Sequence, residues 1–239
     1  MDLEQLKTQK VMPSVKTDWD CFSELLSDGN IPVGSLIRIK GSPGCGKTTY
    51  ALQLADNIQA SNPDLRVHFV SLEMDPAPLK RMLDRLEIKH LNSFLFEHKH
   101  YVAALAPGSV FIIDSLDALA RTLGMDFPTQ DLAIDFETKK KEGTTFVVIH
   151  HNTKSGTSNT GANAFRQIDD ILINMTADGT GTVAISTTQK NRNPGTTQEI
   201  LANLTDGGFV PKQDIFTMLS EQVQPLIANA FKKVKSFFA

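Results

Sequence analysis

Eight consecutive residues of the chain combine three glycines with a lysine and a threonine at their end. They read Gly41-Ser42-Pro43-Gly44-Cys45-Gly46-Lys47-Thr48 and fit the pattern G-x-x-x-x-G-K-[ST] in full. Glycines at this spacing let backbone N–H groups turn inward around phosphate oxygens, and a helix that starts here adds donors and a positive dipole end. We expect Lys47 to neutralise the β- and γ-phosphates of ATP and the Thr48 hydroxyl to bind Mg²⁺. Thr49, the next residue, is included in the predicted ATP-binding set.

The surroundings of this segment favour a phosphate loop over a chance glycine-rich turn. Residues 35–40 form a short β-rich run that stops at Gly41, and apolar residues recur at helical spacing over residues 48–60. A phosphate loop needs a strand before it and a helix after it. Both are predicted here.

Two acidic residues stand at the ends of other predicted strands. Asp114 ends the apolar run that begins at Ser109, and Glu73 follows the run 66–72. Ligands bind at the carboxyl edge of a parallel sheet, so both carboxylates are expected beside the phosphates. We expect Asp114 to hold the water shell of Mg²⁺, unless it only caps the following turn and Asp117 is the true partner. We expect Glu73 to orient or deprotonate the water that attacks the γ-phosphate, unless it is a solvated strand-end glutamate.

Strand patterns alternate with helix patterns along most of the chain. The predicted strands cover 35–40, 66–72, 109–114 and 144–150, and the predicted helices cover 48–60 and 76–86. Residues 170–175 and 181–186 lie too close together for a crossover helix, so an antiparallel pair turned at Asp178-Gly179 is predicted. The fold class is therefore α/β, with a mostly parallel twisted sheet, helices on both faces and antiparallel strands added at the C-terminal side.

The bulk properties are those of a globular chain with one core domain. Hydrophobic residues make up 41% and charged residues 21%, and the formal net charge of −3 provides no overall basic field for nucleic acid. Residues 1–16 are interpreted as an arm, 17–212 as the core and 213–239 as an amphipathic helical tail. Cys21 and Cys45 show neither a disulfide framework nor metal-ligand spacing. Because no signal-peptide pattern and no apolar run of about 18 residues is present, a cytoplasmic location without a membrane span is expected.

Several motifs together resemble the RecA-like ATPases, especially the DnaB helicases and the RadA proteins. The phosphate loop is followed by Ser71-Leu72-Glu73-Met74 and then by Phe111-Ile112-Ile113-Asp114-Ser115. Residues 18–36 look like the entry segment of RadA and KaiC-type domains, and residues 147–156 look like a RadA stretch that ends in His-Val-Thr-Lys. Lys190-Asn191-Arg192 is similar to a RadA motif and to the lysine-x-arginine pair of DnaB. The resemblance covers roughly residues 17–210 and implies a RecA-like core.

The resemblance implies roles for the matched positions. Glu73 matches the catalytic glutamate of DnaB. His151 matches a RadA histidine, which implies that it senses the γ-phosphate, and His150 is its neighbour. Either histidine could instead be satisfied by backbone groups at a strand end. Lys190 and Arg192 would reach the γ-phosphate of a neighbouring subunit in a homo-oligomer, unless they are only an exposed basic strand end.

The same resemblance implies that two polar segments face single-stranded DNA. Residues 153–166 correspond to the second DNA-facing loop, in which Lys154 and Arg166 would contact phosphates and Phe165 would stack on a base. The first loop begins at Arg121, its only cation. Both loops could instead be contacts between subunits.

These expectations combine into a preferred function and two alternatives. The preferred function is ATP hydrolysis that drives action on single-stranded DNA in recombination, repair or replication, by a homo-oligomer in the form of a hexameric ring or a filament. The first alternative is a KaiC-type regulatory ATPase that gates a protein partner without nucleic acid, with residues 214–239 as the contact. The small number of cations in the two loops and the acidic net charge favour this regulatory alternative. The second is a strand-annealing protein that does not need hydrolysis.

Overall fold

The computed structural model describes residues 13–126, 128–151, 160–192, 194–195 and 198–212. The strands are β1 Ser14–Val15, β2 Ile31–Pro32, β3 Leu36–Gly41, β4 Val67–Ser71, β5 Phe94–Leu95, β6 Val110–Asp114, β7 Thr145–His151, β8 Ile171–Ala177, β9 Thr182–Asn191, β10 Glu199–Thr205 and β11 Gly208–Pro211. The helices are α1 Asp20–Ser23, α2 Lys47–Ser61, α3 Pro76–Arg85, α4 His98–Ala104, α5 Leu116–Thr122, α6 Gln130–Lys141 and α7 Thr160–Ile168. The predicted helical tail and Lys154 lie outside the described residues.

Nine of the described strands form one sheet, in the order β11-β10-β9-β8-β3-β7-β6-β4-β5. Strand β3 pairs in parallel with β7 and β8, and the strands β7, β6, β4 and β5 continue the parallel part. Strands β9, β10 and β11 are antiparallel to their neighbours. The predicted α/β fold, a mostly parallel sheet with antiparallel strands at the C-terminal side, is confirmed.

The antiparallel pair predicted at residues 170–186 corresponds to β8 and β9. In their turn, the Asp178 carboxylate accepts hydrogen bonds from the backbone N–H groups of Thr180 and Thr182. Strand β8 itself runs parallel to β3, because α7 lies in the connection that precedes it. The antiparallel addition therefore begins at β9, one strand later than predicted.

Apolar side chains cover the sheet on both faces, as parallel strands require. Alternate residues of β3 point to opposite faces, so Ile37 and Ile39 belong to one buried cluster and Leu36 belongs to the other. The first cluster includes the buried side of α2, and the second includes the buried sides of α5 and α6. Burying one side chain of this size contributes about 1.5–3 kcal/mol. The two apolar clusters thus fix the positions of the parallel strands, and the predicted functional residues lie at the carboxyl ends of these strands.

Two of the described helices occupy parts of predicted loops. Arg121 lies in the last turn of α5, and Phe165 and Arg166 lie on α7. These helices have 7 and 9 residues, so each shows at most two or three turns of periodicity, which is too short a pattern to recognise reliably in sequence. The expectation that these three residues belong to loops is therefore wrong.

The chain packs on the core from Ser14 onward. Ser14 and Val15 pair with β2, and Val15 is buried in the first apolar cluster. The Thr17 hydroxyl donates a hydrogen bond to the carbonyl oxygen of Gly29. The last residues of the predicted arm thus contact the core. Among the described residues, no helix has the length and apolar character needed to cross a membrane.

Candidate nucleotide-binding site

Residues 41–48 connect the end of β3 to the start of α2, which is the position that a phosphate loop requires. Gly46 has a φ of 88°, in the left-handed region that favours glycine. A Cβ atom on Gly46 would lie 2.8 Å from the ring of Phe209, and one on Gly41 would lie 2.6 Å from the carbonyl oxygen of Met175. The loop is therefore packed against β11 and β8, and these two glycines have no room for a side chain.

The Lys47 ammonium is held inside the loop. Its Nζ donates hydrogen bonds to the carbonyl oxygens of Gly41 and Ser42, each at 2.9 Å. Only 5% of Lys47 is exposed. Neutral carbonyl groups compensate a buried positive charge less well than an anion does. The arrangement therefore suits a phosphate group next to this ammonium.

A cleft of about 690 Å³ opens over the loop. Small-molecule sites typically enclose about 300–1,000 Å³. Besides the loop, the walls of the cleft come from α3, the end of β7 and the turn between β10 and β11. The lining residues are Pro43, Gly44, Gly46, Lys47, Thr48, Thr49, Met82, Arg85, His151, Leu204, Thr205 and Asp206. Cys45 is buried beneath the loop, with its sulfur against Gly41.

Thr48 and Asp114 meet at the edge of the sheet next to the loop. The Thr48 hydroxyl donates a hydrogen bond to Asp114 Oδ2 at 2.7 Å. Asp114 is 3% exposed, and its Oδ1 has no hydrogen-bond partner among the described residues. Burial raises the pKa of Asp114, although the hydrogen bond from Thr48 acts in the opposite direction. A buried carboxylate oxygen without a partner, beside a hydroxyl, fits the oxygen ligands that Mg²⁺ prefers.

Glu73 follows β4 and is held by three side chains from other elements. Its Oε2 lies 3.1 Å from His151 Nε2, and its Oε1 accepts a hydrogen bond from the Ser115 hydroxyl. Arg121 Nη2 lies 3.7 Å from Oε1. The hydrogen bonds from His151 and Ser115 lower the pKa of Glu73 to about 2, despite partial burial. The same contact raises the pKa of His151.

The structure brings Glu73, Asp114 and His151 together. One carboxylate oxygen of Glu73, one of Asp114 and one imidazole nitrogen of His151 all lie within 4.8 Å of one another. The three residues belong to the carboxyl ends of β4, β6 and β7, which are neighbours in the sheet. Because His151 lines the cleft and Asp114 contacts Thr48 of the phosphate loop, this cluster lies beside the cleft, next to the loop.

Asp117 and His150, the alternatives to Asp114 and His151, point elsewhere. Asp117 Oδ2 accepts a hydrogen bond from the backbone N–H of His151 at 3.0 Å. His150 is buried between Asp117 and Arg38. Burial lowers the pKa of His150 to about 4. The geometry thus favours Asp114 as the metal-binding candidate and His151 as the residue that faces the cleft.

Lys190 and Arg192 contact groups of their own chain. Lys190 Nζ donates hydrogen bonds to the carbonyl oxygens of Arg166 and Gln167, at 2.7 and 3.3 Å. Arg192 Nη1 pairs with Asp170 Oδ1 at 2.8 Å, and its side chain is exposed. The structure does not bring either cation to the cleft of the same chain. Their role toward a neighbouring subunit stays a prediction.

Of the residues predicted to face DNA, the three that the structure describes divide into two groups. Arg121 and Arg166 are exposed, although Arg121 also pairs with Glu73. Phe165 is fully buried among the side chains of the second apolar cluster, where it contacts Phe136 edge to face. A ring that is enclosed in the core has no face available for a base, so the predicted stacking role of Phe165 is wrong.

Sequence reasoning missed several residues of the site. Ser115, which bonds Glu73, begins α5 as its N-cap, a role that serine after a strand could have suggested. The cleft wall formed by Leu204, Thr205 and Asp206 carries no motif. Arg38 interrupts an apolar strand, and an interruption of this kind is a signal of a buried polar contact.

The fold and the site together are those of a RecA-like P-loop ATPase. The family model described as "ATPase: KaiC" matches residues 15–207. The chain belongs to this KaiC family of ATPases.

Curated relatives of the chain include proteins named DNA repair protein RadA. The protein from Campylobacter jejuni is 29% identical over an alignment of 203 residues, which covers 80% of this chain and 45% of the relative. The protein from Chlamydia muridarum is 27% identical over an alignment of 232 residues, which covers 87% of this chain and 50% of the relative. The chain thus spans about half the length of the curated relatives it matches.

Two solved structures share the fold. A KaiC-like protein from Pyrococcus horikoshii is similar with a TM-score of 0.67 and 17% identity, covering 85% of this chain and all of that one. The flagellar accessory protein FlaH from Methanocaldococcus jannaschii is similar with a TM-score of 0.67 and 16% identity, covering 84% of this chain and all of that one. At this identity the likeness concerns the fold alone.

Proposed function

We propose that the chain hydrolyses ATP with Mg²⁺ in the cleft above residues 41–48. The observation that carries the proposal is the cluster of Glu73, Asp114 and His151 beside the phosphate loop. P-loop hydrolases need one acidic group for the metal and one group that positions the attacking water. Asp114 and Glu73 have the locations and environments for these two tasks.

Several side chains at the site have distinct parts in the reaction. The Lys47 ammonium exchanges its two carbonyl partners for oxygens of the β- and γ-phosphates. Thr48 and Asp114 would hold Mg²⁺, and the ion would supply positive charge to offset the negative charge that develops on the phosphates. The hydrogen bonds from His151 and Ser115 fix the direction of the Glu73 carboxylate and lower its pKa, so it is ionised at neutral pH. We therefore assign to Glu73 the orientation of the attacking water.

Two substitutions separate binding from chemistry. Lys47→Ala is expected to abolish tight ATP binding, whereas Glu73→Gln is expected to preserve binding and to lower kcat about 100-fold or more. Lys80→Gln is the control, because Lys80 is an exposed lysine on α3 whose ammonium pairs with the exposed Asp84. Nucleotide binding and phosphate release are measured on all four proteins. Wild-type activity in Glu73→Gln would rule out the role of Glu73.

We further propose that Lys190 and Arg192 act on the nucleotide of a neighbouring subunit. Both cations are at one strand end, and neither is near the cleft of its own chain. Mixing two inactive proteins tests this: Glu73→Gln keeps both cations, and the double variant Lys190→Ala, Arg192→Ala keeps Glu73. Activity that returns in the mixture supports action between subunits. A mixture that stays inactive, with both variants forming the same oligomer as the wild type, contradicts it.

As the process that uses hydrolysis, we propose action on single-stranded DNA in DNA repair. The support is the relation to proteins named DNA repair protein RadA and the exposure of Arg121 and Arg166. The test compares the ATPase rate with and without a single-stranded oligonucleotide and measures binding at two salt concentrations. Stimulation together with salt-sensitive binding is expected, because contacts with phosphates weaken as salt rises.

A regulatory ATPase that gates a protein partner is the second candidate. The burial of Phe165 favours it, because this removes the aromatic side chain expected to stack on a base. The net charge of −3 and the KaiC family match are consistent with it. An ATPase rate that does not respond to oligonucleotide, together with no salt-sensitive binding, would support this candidate over action on DNA.

A further inference from the structure

A buried positive charge lies on the central strand of the sheet. Arg38 is 0% exposed, although its neighbours in β3 are apolar. Its guanidinium donates to Asp169 Oδ2 from Nε, at 3.0 Å, and from Nη2, while Nη1 lies 3.2 Å from His150 Nδ1. Replacing a buried ion pair with apolar side chains of similar volume is often neutral or stabilising. Stability alone therefore does not account for this arginine.

The contact with His150 determines which nitrogen of the imidazole carries the hydrogen. A guanidinium has donors only, so His150 Nδ1 must accept. Burial keeps the ring neutral at neutral pH, since it lowers the pKa of His150 to about 4. The hydrogen is therefore on Nε2, which lies 3.5 Å from Asp117 Oδ1. Arg38 thus holds His150 in the tautomer whose N–H faces Asp117.

Asp117 connects His150 to the backbone at the end of β7. Its second oxygen, Oδ2, accepts the backbone N–H of His151 at 3.0 Å. The imidazole of His151 in turn lies 3.1 Å from Glu73 Oε2. A continuous series of contacts, which we call the Arg38 chain, therefore runs from Arg38 through His150, Asp117 and His151 to Glu73.

We propose that Arg38 is a positioning residue for ATP hydrolysis, which through His150 and Asp117 fixes the backbone of His151 and with it the direction of Glu73. The proposal rests on the proposed function, in which Glu73 orients the attacking water. A misplacement of about 1 Å at a reacting group can cost about 100-fold in rate. A side chain that never touches the nucleotide therefore affects turnover without affecting binding.

Two substitutions interrupt the Arg38 chain at different links. Arg38→Lys keeps a cation for Asp169, but one ammonium does not reproduce the planar fork that contacts Asp169 and His150 together. Asp117→Asn keeps the shape of the side chain and removes its charge. The Asp117 side chain is 25% exposed, so this second variant is expected to fold even if the first does not.

Lys140→Gln is the matched control. Lys140 is another buried cation, 8% exposed, whose ammonium contacts Glu137, Asp170 and the carbonyl oxygen of Ile168. None of these groups belongs to the Arg38 chain, although Asp170 is adjacent in sequence to the partner of Arg38. The control therefore removes a buried charge from the same region without changing the contacts that lead to Glu73.

The measurements are kcat, KM for ATP, thermal unfolding and hydrogen exchange of the His151 amide. For Arg38→Lys and Asp117→Asn, we expect kcat to fall about 10- to 100-fold while KM stays within about two-fold of the wild-type value. We also expect the His151 amide to exchange faster relative to the amides of Val147 and Val148 in the same strand. Lys140→Gln is expected to leave the exchange of the His151 amide at the wild-type rate, and its kcat serves only as a measure of general destabilisation, because Asp170 also holds Arg192.

Wild-type kcat and wild-type exchange at His151 in both variants would overturn the proposal. Equal losses in all three variants would also overturn it, because they would indicate general destabilisation. The exchange measurement needs no turnover, so it tests the Arg38 chain independently of activity. A wild-type protein that does not hydrolyse ATP would contradict the proposed function, whereas unchanged exchange in the variants would contradict the positioning by Arg38.

Discussion

Replacing Phe165 by alanine distinguishes a core side chain from one that stacks on DNA. Phe165 is 0% exposed, and its ring lies 5.5 Å from the ring of Phe136, edge to face. Truncating a buried phenylalanine to alanine costs about 3–5 kcal/mol of unfolding free energy, because apolar contacts are lost and a cavity remains. In a chain of this length, each kcal/mol lowers Tm by about 2–4 °C. We therefore expect Phe165→Ala to lower Tm by about 6–20 °C.

The assay is urea denaturation and thermal unfolding of Phe165→Ala beside Arg166→Ala. Arg166 is the next residue of the same helix and is exposed, so its substitution is expected to change stability by no more than about 0.5 kcal/mol. A loss below about 1 kcal/mol in Phe165→Ala, accompanied by weaker oligonucleotide binding, would refute the assignment of this ring to the core.

Three further predictions concern the site and its support. Asp114→Asn removes an anionic oxygen from the candidate metal site. The factor by which Mg²⁺ increases the affinity for ATP, measured by calorimetric titration, should therefore fall at least about ten-fold. An unchanged factor would contradict the role of Asp114 in holding the metal. Gly46→Ala forces a Cβ atom into the ring of Phe209 and should abolish ATP binding, whereas Gly207→Ala, whose Cβ atom would meet nothing closer than 3.8 Å, should not. His150 takes up a proton only near pH 4 when folded but near pH 6.5 when unfolded, so the unfolded chain binds more protons between these values. The free energy of unfolding should therefore decrease as pH falls from about 6.5 to about 4, and His150→Gln should flatten this dependence in denaturant titrations.

The phosphate loop and the strands beside it could be predicted because their determinants are local. The loop is a fixed spacing of glycines before a lysine and a hydroxyl, and each strand is a continuous apolar run. The prediction of a strand over 66–72 differs from the observed Val67–Ser71 by one residue at each end. Such local patterns predict the same loop and strands whatever the rest of the fold, as long as the sheet is buried.

The short helices α5 and α7 could not be predicted in the same way. The two helices have only 7 and 9 residues, so the apolar pattern of each repeats over about two turns, and the polar residues around them favoured a loop. Phe165 illustrates the consequence. Whether an aromatic side chain on such a segment packs inward or faces a ligand depends on the position of α6, whose Phe136 receives it.

The sequence by itself determined the class of ligand that we propose and the groups that we expect to contact it: a phosphate loop ending in Lys47 and Thr48, and acidic residues at the ends of buried strands. Only the tertiary structure decided which groups hold one another. Glu73 is held by contacts with Ser115, His151 and Arg121. Arg38 contacts Asp169 and His150, which lie 131 and 112 residues further along the sequence. The physical reason is that strand order and helix placement set these distances, whereas residue type and local spacing set only the chemistry available at each strand end.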